Sequence, residues 1–298
     1  MAAPARCIRT ANHFDFGPAL RYAFPMVGTA KAICVDGHIH IHPCYGTDLA
    51  FSCLIDNLMR MGQSSASLFS LPIGYLAILA ESRSCHYFRD AVKEDRDKAA
   101  SRYAVRAGPE PGSLLVLQED KPDLCLIAGR QIVTAERIEI LALTTDADIP
   151  DGLPAQTVLD TIRAEGGIPV LSWAPGKWFF GRGQLVGRLI DAAKPGTLLL
   201  GDTSLRPPLW SEPRRMRAGR IKGLAVIAGS DPLPFTGEER RMGTYGFCRQ
   251  GDFDLSRPVT ELRDILRGPA AGLILTGRRG GLLTTVRRLL AARRAKKA

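Results

Sequence analysis

The chain has 298 residues, of which 45% are hydrophobic, 30 are Gly and 20 are Pro, enough to bury one large core or two medium ones and too apolar for disorder over most of its length. Its formal net charge is +10, but Arg278, Arg279, Arg287, Arg288, Arg293, Arg294, Lys296 and Lys297 share an acid-free C-terminal stretch, so the body is near neutral and the chain as a whole does not read as a nucleic-acid binder. The seven Cys are odd in number and form no CxxC, which excludes a zinc finger, argues against a disulfide framework, and reads as reduced thiols in a cytoplasmic protein.

From the N-terminus, the stretch up to Gly17 lacks the apolar core of a signal peptide. Ala32–Ile41 is a nearly continuous apolar run, as expected of a strand covered on both faces. After Gly46-Thr47, the spacing of apolar residues predicts a helix over Asp48–Met61. The uncharged stretch from Gly62 to Ala80 holds Gln63, Pro72 and several Ser, so it reads as a buried helix or strand and not as a membrane span. Glu94–Gly112 is charged and rich in Pro and Gly and is expected to be an exposed loop or insertion. Strands are expected at Ser113–Gln118, Leu124–Thr134 and Arg137–Thr145, the last two as a hairpin turning near Ala135-Glu136.

Pro154–Ala164 opens on Pro and stops at Gly166-Gly167, the start and stop chemistry of a helix. Strands Ile168–Trp173, Thr197–Asp202 and Leu224–Ser230 alternate with helices at Gln184–Ala193 and Val259–Leu266. This alternation predicts an α/β fold. The last 20 or so residues predict a basic amphipathic helix with Leu282, Leu283, Val286, Leu289 and Leu290 on one side. Such a tail would pack on the body, or touch an anionic surface weakly (membrane or nucleic acid), or pair with an acidic partner.

The strongest chemical signal is Asp36-Gly37-His38-Ile39-His40-Ile41-His42-Pro43. Residues two apart on a strand share a face, so His38, His40 and His42 point together. Imidazoles grouped at a strand end can bind a divalent ion, or they can simply hydrogen-bond locally. Asp231, in Gly229-Ser230-Asp231-Pro232, falls at another expected strand end, where it serves either as a ligand and water-activating base or as a turn residue before Pro232. Glu81 and His86 are weaker substitutes for a ligand, with Glu81 also a candidate base. Lys177, Arg182 and Arg206 follow expected strands and are candidates for binding a phosphate or carboxylate, with solvated loop charges as the alternative. Asp202 reads as a cap or an orienting residue. Gly277-Arg278-Arg279-Gly280-Gly281 is Gly-rich and basic but lacks the Lys-Ser/Thr of a phosphate-binding loop, and no Ser sits in a nucleophile elbow.

Asp36-Gly37-His38-Ile39-His40 resembles the first-strand motif of PHP (polymerase and histidinol phosphatase) phosphoesterases and related amidohydrolase-type metallohydrolases. Three later segments keep that family's order: Ala128–Thr134, Gly166–Pro175 and Ala228–Pro234. The resemblance implies an α/β fold of the distorted (β/α)7 barrel kind over residues 30–276, a basic C-terminal helix or tail over 277–298, and an N-terminal extension over 1–29. It also implies a divalent zinc, manganese or iron ion held by His38 and His40, with Asp231 and with His42 as a further candidate. The pattern departs from the family at three places. Gln131 stands where a bridging Glu is expected, Trp173 where a His is expected, and Leu233 where a second His is expected. Gln carries no negative charge and Trp and Leu cannot ligate, so a single ion with open positions for water fits better than a cluster. Two functions follow. One is a metal-dependent hydrolase acting on a small molecule, a phosphoester by resemblance. The other is a catalytically degenerate barrel that binds a ligand or a protein.

Overall fold

The computed structural model describes residues 28–64, 68, 70–83, 85–93, 101–119, 121–270 and 272–295. The expected 1–29 extension therefore lies almost wholly outside the described residues. In chain order the elements are β1 (Thr29–Ile39), α1 (Thr47–Ser64), β2 (Ile73–Leu79), α2 (Tyr87–Lys93), β3 (Ala104–Ala107), β4 (Ser113–Gln118), β5 (Lys121–Ile127), β6 (Gly129–Val133), β7 (Glu139–Leu143) and α3 (Ala155–Ala164). They continue as β8 (Ile168–Ser172), α4 (Phe180–Ala192), β9 (Leu199–Thr203), α5 (Arg214–Ile221), β10 (Val226–Gly229), a 3-10 turn (Glu238–Arg241), β11 (Tyr245–Asp254), α6 (Pro258–Arg267), β12 (Ile274–Gly277) and α7 (Leu282–Ala295).

These strands form two sheets and not the closed barrel expected. One sheet runs β12-β11-β1-β2-β5-β4-β3 and the other runs β10-β9-β8-β7-β6. The sheets meet along two seams. At the first, Glu81 beyond the end of β2 bridges Arg130 of β6, with Glu81 N–H donating to Gly129 O and Gln131 N–H to Glu81 O. At the second, β1 passes β10, and Asp231 N–H donates to His38 O at 2.9 Å. No ladder closes either seam. At the second the two strands come close: a Cβ on Gly229 would lie 2.3 Å from the Cβ of His38, and one on Gly37 would lie 2.7 Å from Ala228 O, so glycine at both positions permits the approach.

The strands that the sequence marks as apolar runs are the buried ones: β8, β9 and β10 expose none of their residues. One core lies between the two sheets, around Ile33, Leu76, Val170, Ile227 and Phe247. A second lies under α1, where Phe51, Leu54 and Leu58 are fully buried at helical spacing. Each such side chain contributes about 1.5–3 kcal/mol by leaving water. A third packs α3 and α4 on the other sheet through Val158, Ile162, Val186 and Ile190. The helix α3 stops where Gly166 adopts φ +73°, as its sequence predicts.

Several expectations are corrected. Part of the predicted loop is a strand, β3, paired antiparallel with β4. Cys34 and Cys248, directly opposite on β1 and β11, are joined in a disulfide, so the reading of all thiols as reduced does not hold for this pair. The C-terminal helix forms, but its buried residues are Thr285, Arg288 and Ala292, while Leu282, Leu283, Val286 and Leu290 are exposed. No helix among the described residues is long and apolar enough to cross a membrane.

Candidate metal centre

The site sits at the end of β1, where it crosses the end of β10. His38 and His40 point to the same side of β1, and Asp231 follows β10. Their ligand atoms all lie within 4.8 Å of one another. The two His Nε2 atoms are 3.0 Å apart, and each is 3.6 Å from Asp231 Oδ1. Zinc with bonds of about 2.0–2.1 Å in a tetrahedral shell sets its ligands about 3.3–3.4 Å apart. The triangle of 3.0, 3.6 and 3.6 Å brackets that spacing, so two nitrogens and one carboxylate oxygen fit a divalent transition ion.

His38 is buried, and burial pushes its pKa down while the neighbouring Asp231 carboxylate pulls it back up. Burial alone would raise the Asp231 carboxyl. The neighbouring His38, then His40, then the Arg288 guanidinium outweigh it and hold the group well below the usual carboxylate range. Asp36 anchors the frame. Its buried carboxylate accepts N–H groups from His38 (3.2 Å), Ser230 (2.9 Å) and Gly243 (2.8 Å), tying β1 to both crossing segments. Burial still pushes its pKa up to about 7.

Gln131 joins the group. Its Oε1 lies 3.1 Å from His38 Nε2, so the residue that replaces a carboxylate in the sequence pattern still faces the centre with a neutral oxygen. Trp173 is buried edge-on against Trp210, with ring centroids 6.4 Å apart. The Leu233 backbone is tied at both ends, its N–H to Glu238 and its carbonyl to the Tyr45 hydroxyl.

The remaining candidates are placed as follows. His42 does not join the ligand triangle; its Nε2 lies 3.3 Å from Pro232 O, its ring stacks on His40, and burial lowers its pKa to about 4. Lys177 pairs with Glu139 of β7 at 2.6 Å, and Glu139 lies within electrostatic reach of His38. Arg182 donates to Gly176 O at 2.9 Å. Arg206 grips the buried Asp202, which also accepts the Tyr245 hydroxyl at 2.8 Å, so both guanidinium and carboxylate are spent within the fold. Glu81 is buried, accepts the Phe88 N–H at 2.7 Å and faces Arg130 at 3.6 Å, while His86 lies 3.2 Å from the same Arg130. Neither reaches the His38 cluster. Sequence reasoning did not find Glu139, Tyr45, Glu238 or Arg288. Only Glu139, at the head of an expected strand, carried any signal of its place.

An α/β fold with two His and one Asp able to hold a metal ion is the class that fold and site define. No family model matches the chain, and no curated protein matches it. Among solved structures it is similar to PsfC from Pseudomonas syringae PB-5123, at 11% identity and a TM-score of 0.49, covering 90% of this chain and 98% of that one. It is also similar to the lesion-specific endonuclease PfuEndoQ from Pyrococcus furiosus, at 12% identity and a TM-score of 0.46, covering 82% of this chain and 57% of that one. A third is Endonuclease Q in complex with a 27-mer duplex bearing an abasic lesion, at 11% identity and a TM-score of 0.43, covering 83% of this chain and 58% of that one.

Proposed function

We propose that this protein is a metal-dependent hydrolase of the PHP-like type, acting on a phosphoester, with one zinc, manganese or iron ion held by His38, His40 and Asp231. The observation that carries the reading is the convergence of three ligand atoms from two crossing strands at zinc-like spacing. A bound divalent ion supplies Lewis acidity toward a phosphoryl oxygen and toward water. Asp231 would offer such an ion one carboxylate oxygen and would keep the other to accept a proton. His38 and His40 would each offer a ring nitrogen, and Gln131 adds a polar oxygen without charge. Of the three candidate cations, Lys177 pairs with Glu139, which lies within electrostatic reach of His38, whereas Arg206 is buried in its pair with Asp202 and Arg182 is tied to a backbone carbonyl, so Lys177 is our choice to meet a substrate anion. The same proposal gives the C-terminal helix a weak contact with anionic surfaces, through the exposed Arg287, Arg293 and Arg294.

A second reading, a degenerate domain that binds a ligand without turnover, has one observation in its favour: among the described residues Asp231 is the single carboxylate in the cluster. Metal analysis of the purified chain beside a His38→Ala/His40→Ala double variant tests the proposal. Near-stoichiometric metal that disappears in the variant, with phosphoester hydrolysis disappearing alongside, is the expected result. Metal without hydrolysis selects the second reading. No metal even after incubation with zinc, manganese or iron overturns the site itself.

A further inference from the structure

The acid-free C-terminal segment reads as a surface tail, yet one of its arginines is among the most enclosed charges in the molecule. Arg288 of α7 is 4% exposed, and so is its partner Glu238 at 3%. Its Nε lies 2.9 and 3.0 Å from the two Glu238 carboxylate oxygens, and a second nitrogen donates to the same group at 2.7 Å. That second nitrogen also reaches Asp231 O at 3.2 Å, and the third donates to Ser204 Oγ at 3.0 Å. The Ser204 hydroxyl in turn donates to Ser230 O. Glu238 accepts the Leu233 N–H at 3.0 Å. One guanidinium therefore ties together the residue after β9, the turn after β10 and the 3-10 turn.

The turn it holds carries the metal-site carboxylate. Asp231 has φ +48°, a left-handed backbone that a non-glycine residue keeps only when its surroundings fix it. Its N–H is held by His38 O and its carbonyl by Arg288. We infer that Arg288 is a positioning residue of the metal centre: from the C-terminal helix it clamps the Ser230–Leu233 turn so that Asp231 faces His38 and His40, making α7 a wall of the site. This rests on the reading of those three residues as ligands. Lysine cannot substitute, because the clamp uses the planar fork of the guanidinium in three directions.

The experiment is a zinc-competition titration on the full chain, with cobalt(II) absorption as a second readout of ligand geometry. Arg288→Gln is expected to weaken zinc binding about 10–100-fold, the usual effect of removing a partner that orients a ligand, and to alter the cobalt bands. Arg288→Lys should recover only part of the loss. Glu238→Gln loosens the clamp while keeping its shape, and is expected to show a smaller loss in the same direction should Arg288→Gln fail to fold. A double-variant cycle separates positioning from general support. On an Asp231→Asn background, Arg288→Gln should cost no further affinity. Additive losses, or wild-type affinity in folded Arg288→Gln, overturn the inference while leaving the metal site standing. A wild-type chain that binds no zinc overturns the site and the inference together.

Discussion

Gly229→Ala probes the crossing that assembles the site. The added methyl would sit 2.3 Å from His38 Cβ and 2.4 Å from His38 N, against an ordinary contact of 3.4–4 Å. These neighbours are strand atoms with no freedom to swing aside, so β1 and β10 must part by about 1 Å. Passed on to the ligands, that motion carries Asp231 Oδ1 from 3.6 Å to about 4.6 Å from the histidines. Two ligands of one zinc with bonds of about 2.0–2.1 Å cannot lie more than about 4.2 Å apart. The carboxylate therefore leaves the ion, and affinity should fall at least about 100-fold. Overpacking should also cost the metal-free protein about 1–3 kcal/mol. Denaturant unfolding with and without zinc measures both. At a zinc concentration 100 times the wild-type Kd, the wild type gains about 2.7 kcal/mol, and a variant with 100-fold weaker binding gains about 0.4 kcal/mol. Gly181→Ala, on α4 with nothing within 4 Å of the added methyl, is the control and should keep the full gain. A Gly229→Ala protein that also keeps the full zinc-dependent gain would refute the argument.

The legible parts of the fold were those written in local pattern. Continuous apolar runs marked β8, β9 and β10, and a Pro start with a Gly-Gly stop marked α3, because those signals need no partner to be read. What joins them was not legible. The β11 strand buries Tyr245–Cys248 but alternates half-buried and exposed residues over Arg249–Asp252, so its apolar run is cut short by charge. The short β3 lies in polar sequence and exists through its pairing with β4. The Cys34–Cys248 pair is separated by 214 residues, and only the antiparallel register of β1 and β11 brings it together. Barrel closure failed as an expectation for a related reason: whether strands far apart in the chain join in a ladder is not written in local pattern, and here the isolated Glu81–Arg130 bridge and the Asp231–His38 hydrogen bond span the two seams in place of one.

At the site, His38 and His40 were readable because a period of two on a strand fixes a shared face without tertiary knowledge. Asp231 was readable only through the order of motifs, since nothing local distinguishes it from a turn aspartate. Arg206 and Arg288 were misplaced in the same direction by one assumption, that loop and tail cations face water. Arg206 is drawn inward by Asp202 and Arg288 by Glu238, partners that lie on other turns or segments.

The pH dependence of stability should carry the mark of Glu81, whose burial pushes its carboxyl from the ordinary 4.5 up to about 7. The folded state keeps that proton longer than the unfolded chain, so this contribution is complete below about pH 4.5, declines up to about pH 7 and is flat above it. Glu81→Gln should flatten that slope in melts across this window, and an unchanged slope would exclude the group. Alkylation of the denatured, unreduced protein should label Cys44, Cys53, Cys85 and Cys125, with Cys34 and Cys248 reacting only after reduction; labelling of that pair beforehand would remove the bridge. Leu283 and Val286 decide how α7 sits. Had the leucine face packed on the body, as its pattern suggests, Leu283→Ala would open a cavity and cost about 2–5 kcal/mol. With Leu283 74% and Val286 45% exposed and the helix pinned by Arg288 instead, serine at either position should change unfolding free energy by no more than about 0.5 kcal/mol. A loss of several kcal/mol would mean that the helix is rotated, that Arg288 faces away from Glu238, and that the clamp on Asp231 does not exist.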